Sequence, residues 1–280
     1  MPRTIRVAHS PDSDDAFMFY ALSSGKLDTG DLRYEHELSD IESLNQRARR
    51  RELDVSAVSI HAYAYLARDY ALLNSGSSMG DGYGPRLIGR SAPAGDARAA
   101  ARGRRIAVPG LLTTAYLALR LWQPEFEAVV TPFDRIEDAV LAGDVDLGLL
   151  IHEGQLTFAD HDFHLWVDLG AWWLADTGLP LPLGGNVVRR DLGNDVIEQI
   201  GRDLRASIVY ALEHRAPALR HAAQFNRGIS DQRTDEFVGM YVNDWTVDYG
   251  DRGRRAVQEL LDRAALAGVI PERVAVDFVG

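Results

Sequence analysis

The sequence predicts an α/β protein of two lobes, with one α/β unit inserted into another and two crossovers between them. Three observations predict it. Strand and helix patterns alternate through the first third of the chain, the alternation restarts after a composition break at Ser91 to Arg104, and a second break at Thr177 to Gly185 leads into a mainly helical remainder. The expected lobes are residues 1–104 with 181–280, and residues 105–180. A cleft between two such lobes is a usual place for a small ligand.

The elements follow in order. Ile5 to Ala8 reads as a strand, then a loop at Ser10 to Asp14 and a helix through Ala16 to Leu22 that stops near Gly25. Leu32 to Leu38 alternates as a second strand. Asp40 is a good N-cap for a helix carrying Ile41, Leu44 and Ala48 on its dry face. Val55 to Val58 is a third strand, leading into a helical run at Ala62 to Ala67, and the alternation implies βαβ units with a mostly parallel sheet. After the Ala/Gly/Arg-rich break come a strand at Arg105 to Val108, a Pro109-Gly110 turn and a helix from Thr113 through Leu121. Val129-Val130, Asp134 to Leu141 and Val145 to Ile151 continue as strand, helix and strand. Leucine alternating with proline between Thr177 and Gly185 favours an extended crossover. Apolar spacing then gives helices at Asp195 to His214, Ala216 to Phe225, Thr234 to Tyr241 and Gly253 to Gly268.

Composition removes whole classes of function. The 280 residues carry a net charge of −11, which argues against nucleic acid or an anionic membrane as partner. There is no cysteine, so disulfides, thiolate nucleophiles, iron–sulfur clusters and cysteine-ligated zinc are excluded. Met1 to Ala8 runs straight into a strand pattern with no signal-peptide core, and no segment approaches the ~20 apolar residues of a membrane span. A cytoplasmic protein is expected.

The most informative stretch is Val145 to Ile151 followed by His152-Glu153-Gly154. An apolar run too brief for a helix reads as a strand buried on both faces, and ligands of open α/β sheets gather at the carboxyl ends of such strands. His152 is there either a proton-transfer group or a loop hydrogen-bonder. Pro109 to Ala115 joins a strand to a helix N-terminus, where free N–H groups and two hydroxyls suit a carboxylate or phosphate; Thr113 also reads as a plain cap. In Ser10 to Ala16, Ser13 or Asp14 reads as an N-cap, and the acidic run lacks the spacing and glycine of a Ca²⁺ loop. His161 and His164 have no third ligand at zinc spacing, so no metal site is expected. Gly80 to Pro85 is glycine-dense but not GxGxxG, and GxxxxGK[ST] and GxSxG are absent. Trp172, Trp173, Phe17, Phe19 and Tyr20 read as core.

Nearly end to end, the chain resembles the 1,4-dihydroxy-6-naphthoate synthases of the futalosine route to menaquinone, enzymes of periplasmic-binding-protein type II-like fold. The resemblance is carried by Ser10-Pro11 with Asp15 and Phe17, Asp40 to Asn45, Val58-Ser59 with Ala62 to Ala64, Ala107 to Gly110, Thr113 to Tyr116, Ile151 to Glu153 and Tyr241 to Asn243. Its most specific runs are Val167 to Trp173 and Thr177 to Gly184. The resemblance implies His152 as general base, with substrate held at Ala57, Val58 and Ser59 and at Thr114 and Ala115. Ser10, Asp14 and Asn45, in the matching segments, complete the expected binding set. One departure stands out: Asp12-Ser13-Asp14 replace the family's Cys-Pro-Asn, so a carboxyl at Asp14 replaces an amide donor.

What the resemblance implies is a cytoplasmic lyase needing no metal or organic cofactor, acting on a small carboxylate, cyclic dehypoxanthine futalosine. The alternatives are the chorismate dehydratase of the same pathway, which shares the fold, and a non-catalytic binding protein. A pure carboxylate binder would gain more from an arginine at 152 than from a histidine.

Overall fold

The computed structural model describes residues 2–225 and 229–280, so Met1 of the expected N-terminal pattern lies outside the described residues. The strands are β1 (Arg3–His9), β2 (Leu32–Leu38), β3 (Val55–Ser59), β4 (Tyr70–Leu73), β5 (Ser78–Gly80), β6 (Arg86–Gly89), β7 (Arg105–Val108), β8 (Glu127–Val130), β9 (Leu147–Leu150), β10 (His164–Asp168), β11 (Leu181–Arg189) and β12 (Phe278–Val279). The first sheet runs β12-β4-β11-β3-β1-β2, with β5 also on β11; the second runs β10-β6-β9-β7-β8.

In the first sheet β1 pairs in parallel with β2 and β3, as βαβ units require. The sheet is nevertheless mixed rather than mostly parallel. Strand β11 returns from the second lobe and inserts antiparallel to β3, β4 and β5. In the second sheet β7 is parallel to β8 and β9, while β6 and β10 run antiparallel at the other side. Because β6 pairs with β9, residues 86–104 belong with the second sheet. The first crossing therefore falls just before β6 and not at 104/105. Ser91 to Arg104 is a loop and short helix on that lobe, so its composition break marks a surface excursion.

Sequence and packing explain the elements near the cleft. Asp40 caps the helix Ile41–Arg49 by accepting the Ser43 N–H at 3.0 Å, and Leu44 and Ala48 are fully buried beneath it. The expected helix from Ala16 is split at Phe19 into Ser13–Met18 and Tyr20–Ser23. Ser207 causes the break: its hydroxyl donates to Met18 O and accepts from Leu22 N. All four residues of β9 are buried, and a Cβ on Gly148 would lie 2.6 Å from Ile136, so the glycine lets the helix Ile136–Ala142 sit down on the strand. The two crossings touch backbone to backbone: a Cβ on Gly170 would lie 1.8 Å from the Tyr83 carbonyl oxygen. Gly80 to Pro85 is thus a packed interlobe connection. Trp173 and Phe17 are fully buried, as their core reading requires.

Candidate active site

The carboxyl ends of β1, β3, β7 and β9 converge on one cavity between the lobes. Its wall includes Ser10, Asp12, Asp14 and Asp15 after β1, Ala57, Val58 and Ser59 on β3, Thr113, Thr114 and Ala115 after β7, and Ile151 and His152 after β9. That is the end of a sheet at which open α/β folds place ligands. Every expected site residue except Asn45 lines it.

His152 occupies a strained position. Its φ is +58°, a left-handed conformation that costs a non-glycine residue about 1–2 kcal/mol. The strain turns the side chain out of the strand line and onto Asp12, whose Oδ2 lies 3.0 Å from His152 Nδ1. Phe133 packs edge-on against the ring at 4.9 Å between centroids. A carboxylate can only accept at Nδ1, so this bond makes Nε2 the nitrogen that carries the lone pair. The arrangement is a base held in one tautomer by a buried carboxylate.

Asp12 is also the N-cap of the helix Ser13–Met18, but no side-chain cap bond forms, so neither Ser13 nor Asp14 takes the capping role considered for it. Asp15 accepts the Ser10 N–H at 2.7 Å, and Glu153 accepts the Ser13 hydroxyl at 3.2 Å. Burial holds Asp14 well above the usual carboxylate range, with the charges of Asp15 and Asp12 adding to it and His152 opposing. Burial also raises Asp15, to about 6, against the Ser10 N–H bond that favours its charged form.

Opposite stands the helix Thr114–Trp122. Thr113 is its cap, accepting the Tyr116 N–H at 3.2 Å. The Thr114 and Ala115 N–H groups are left over by the helix and are available to an anion. The Thr114 hydroxyl has its proton committed: it donates to Leu183 O at 2.6 Å and accepts from His61 N at 3.2 Å, both across the cleft. Asn45 is fully buried behind the wall and not on it. Its Oδ1 accepts the Ser59 N–H at 2.9 Å and its Nδ2 donates to Ser59 Oγ at 3.2 Å, so it positions the β3 turn. Among the described residues lining the cavity there is no lysine or arginine. An anion here would be held by backbone N–H groups and hydroxyls.

Among the cavity residues not anticipated in a binding role are Asp12, Gln155, Asn186 and Tyr241. The Tyr241 hydroxyl donates to Gln155 Oε1 at 2.7 Å, joining the helical tail to the second lobe. Asn243, in the same matching segment, is instead the cap of the helix Asp244–Val247. His161 pairs with Glu137 at 2.5 Å, away from the cavity, and His164 is exposed on β10. Among the described residues no cluster of three or more metal-ligating side chains occurs, and no helix is long and apolar enough to cross a membrane.

Comparison with known proteins places this geometry. A Candida albicans protein described as having the generic periplasmic binding protein fold superposes with a TM-score of 0.70 at 17% identity, over 99% of this chain and 98% of that one. The two-lobed architecture is therefore the periplasmic-binding-protein-like fold. An Archaeoglobus fulgidus protein of known crystal structure is much nearer, with a TM-score of 0.91 and 47% identity over 95% of this chain and 98% of the other. Proteins named 1,4-dihydroxy-6-naphthoate synthase are 38% identical in both Streptomyces coelicolor, over 96% of this chain and 95% of the relative, and Thermus thermophilus, over 95% of each. The family model described as menaquinone biosynthesis matches residues 5–266, and the chain belongs to that menaquinone-biosynthesis family.

Proposed function

We propose that the protein is a 1,4-dihydroxy-6-naphthoate synthase, a carbon–carbon lyase that releases the ribose-derived fragment of cyclic dehypoxanthine futalosine. The observation that carries this reading is the His152–Asp12 pair at 3.0 Å on the cavity wall. His152 Nε2 takes a proton from the substrate, and the resulting anion breaks the carbon–carbon bond in a retro-aldol sense, driven by formation of the aromatic ring. Asp12 stabilises the imidazolium that forms and keeps the ring oriented. The substrate carboxylate is received by the N–H groups at Thr114 and Ala115 and by the turn at Ala57 to Ser59, where Asn45 holds the backbone. The partner is thus a small carboxylate and not a nucleic acid, in keeping with a chain of net charge −11.

Incubating the purified protein separately with cyclic dehypoxanthine futalosine and with chorismate, and following products by mass spectrometry, tests the reading. Dihydroxynaphthoate from the first substrate alone is expected. Consumption of chorismate would make the protein a dehydratase, and tight binding without turnover would make it a receptor.

A further inference from the structure

The acidic turn beside His152 uses its carboxyls unequally. Asp12 pairs with His152, Asp15 accepts from Ser10, and Glu153 accepts from Ser13. Asp14 faces the cavity with no helix-cap bond, and no lysine or arginine stands among the described lining residues. A second group on the same cavity is also unmatched. Asn186 of β11 is 1% exposed, and its Nδ2 donates to Gly76 O at 2.9 Å. That bond fixes the amide, because the flipped form would set two acceptors face to face. Asn186 Oδ1 is left buried without a partner among the described residues, a state that penalises the empty site and favours a ligand donor. Strands β11 and β1 flank β3, so Asn186 sits two strand spacings, roughly 10 Å at the backbone, from β1, whose carboxyl end leads into the turn that carries Asp14.

The charges around Asp14 come from every side. Asp12 and Asp15 lie on its own turn, His152 and Glu153 approach from the second lobe, and the Tyr241 phenol, pushed to higher pKa by burial, stays neutral. From the helix packed behind, Arg215 lies over the Phe17 ring at 5.5 Å and pairs with Asp235. Carboxyls this close cannot all ionise together. Asp12 and Asp15 have partners that favour the charged form, so the proton settles on Asp14.

We propose that Asp14 meets the substrate as a neutral carboxylic acid, donating a hydrogen bond to an uncharged substrate oxygen while Asn186 Oδ1 accepts one from a substrate hydroxyl. The pair reads the hydroxylated part of the ligand, away from the carboxylate end. The inference rests on the function proposed above for the identity of the ligand, but its protonation claim does not.

The test compares wild type, Asp14→Ala, Asp14→Asn and Asn186→Ala from about pH 5.5 to 9, with a ¹³C-carboxyl NMR titration of Asp14 in the free protein. Asp14→Ala and Asn186→Ala are expected to raise KM about 10-fold, the effect of one lost hydrogen bond, with a smaller change in kcat. Asp14→Asn should recover most of that loss and abolish the rise in KM that wild type shows at alkaline pH, since an amide does not titrate. Asp14→Asn as impaired as Asp14→Ala would overturn the proposal, as would an Asp14 carboxyl that titrates in the ordinary aspartate range. Failure of wild type to convert the futalosine substrate would defeat the assigned activity, whereas an ordinary Asp14 titration would defeat this inference alone.

Discussion

Asp12 follows β1 in the first lobe and His152 follows β9 in the second, yet their side chains meet at 3.0 Å across the cleft. The base and the carboxylate that orients it therefore come from different lobes and are paired by the way the two lobes meet. Glu42 and Thr114 bridge the same gap, with Leu112 N donating to Glu42 Oε2 at 3.2 Å and Thr114 bonded to Leu183 O. The same contacts between the lobes shield the proton-transfer pair from water.

His152→Ala and His152→Asn are expected to lower kcat by at least ~10²-fold while leaving product affinity nearly intact, the range general-base catalysis supplies. Steady-state kinetics beside calorimetric binding of dihydroxynaphthoate measure the two effects separately. Loss of affinity in step with turnover would assign the residue to recognition.

Asp12→Asn tests the orienting carboxylate. An amide can donate to Nδ1, which moves the ring proton to Nε2 and leaves no base facing the substrate. The expected result is a kcat lower by about 10²–10⁴-fold with KM little changed, as for carboxylate-to-amide changes beside other catalytic histidines. A normal kcat would show that the contact at 3.0 Å does not set the tautomer.

Much of this was legible from local pattern. Strands β2 and β7 match their expected limits because alternation and a buried apolar run are local signals, and Asp40 caps the helix it was expected to cap. His152 was legible because an ionisable pair ends a buried strand. The four residues of β6 follow a glycine-dense stretch and carry no period of their own, so the lobe boundary was misread. Asp12 was visible as part of an acidic run, but its partner lies far along the chain, and only the packing of the two lobes brings them together. Thr114 and Asn45 were legible as part of matching segments, but the bonds of the Thr114 hydroxyl to His61 and Leu183 and of the Asn45 amide to Ser59 were not, because no spacing encodes them.

Thr114→Val tests the hydroxyl's two contacts. The substitution leaves the Leu183 carbonyl and the His61 N–H unmatched across the cleft, about 1–3 kcal/mol per buried group. The loss should fall on closure: KM rises, kcat falls with it, and small-angle scattering of the ligand-free protein reports a larger radius of gyration. A decarboxylated substrate analogue should suffer equally. If only carboxylate ligands lose affinity, the hydroxyl contacts the substrate instead.

The final expectation concerns acid. His9 Nδ1 lies 3.0 Å from Ser10 O and must donate to it, so its Nε2 accepts from His36 Nδ1 at 3.3 Å. Phe19 stacks on His9 at 4.4 Å, and His36 Nε2 is buried with no partner among the described residues. Burial pushes both imidazoles down to about 4, and the neighbouring His9 adds to the effect on His36. Unfolded, each titrates near 6.5, so between those values the unfolded chain binds protons that the folded one refuses. This contribution to stability is complete above about pH 6.5 and is lost as pH falls towards 4, by on the order of 3 kcal/mol for His9. Asp14 and Asp15, whose affinities are raised, act in the opposite sense and lose stability as pH rises. Urea midpoints taken through this range should therefore fall with acid, and His36→Phe should shallow the fall, since it removes one titrating ring and an unmatched acceptor. His61, also lowered to about 4 by burial, leaves a residual slope. An acid limb unchanged by His36→Phe would show that the pair does not govern it.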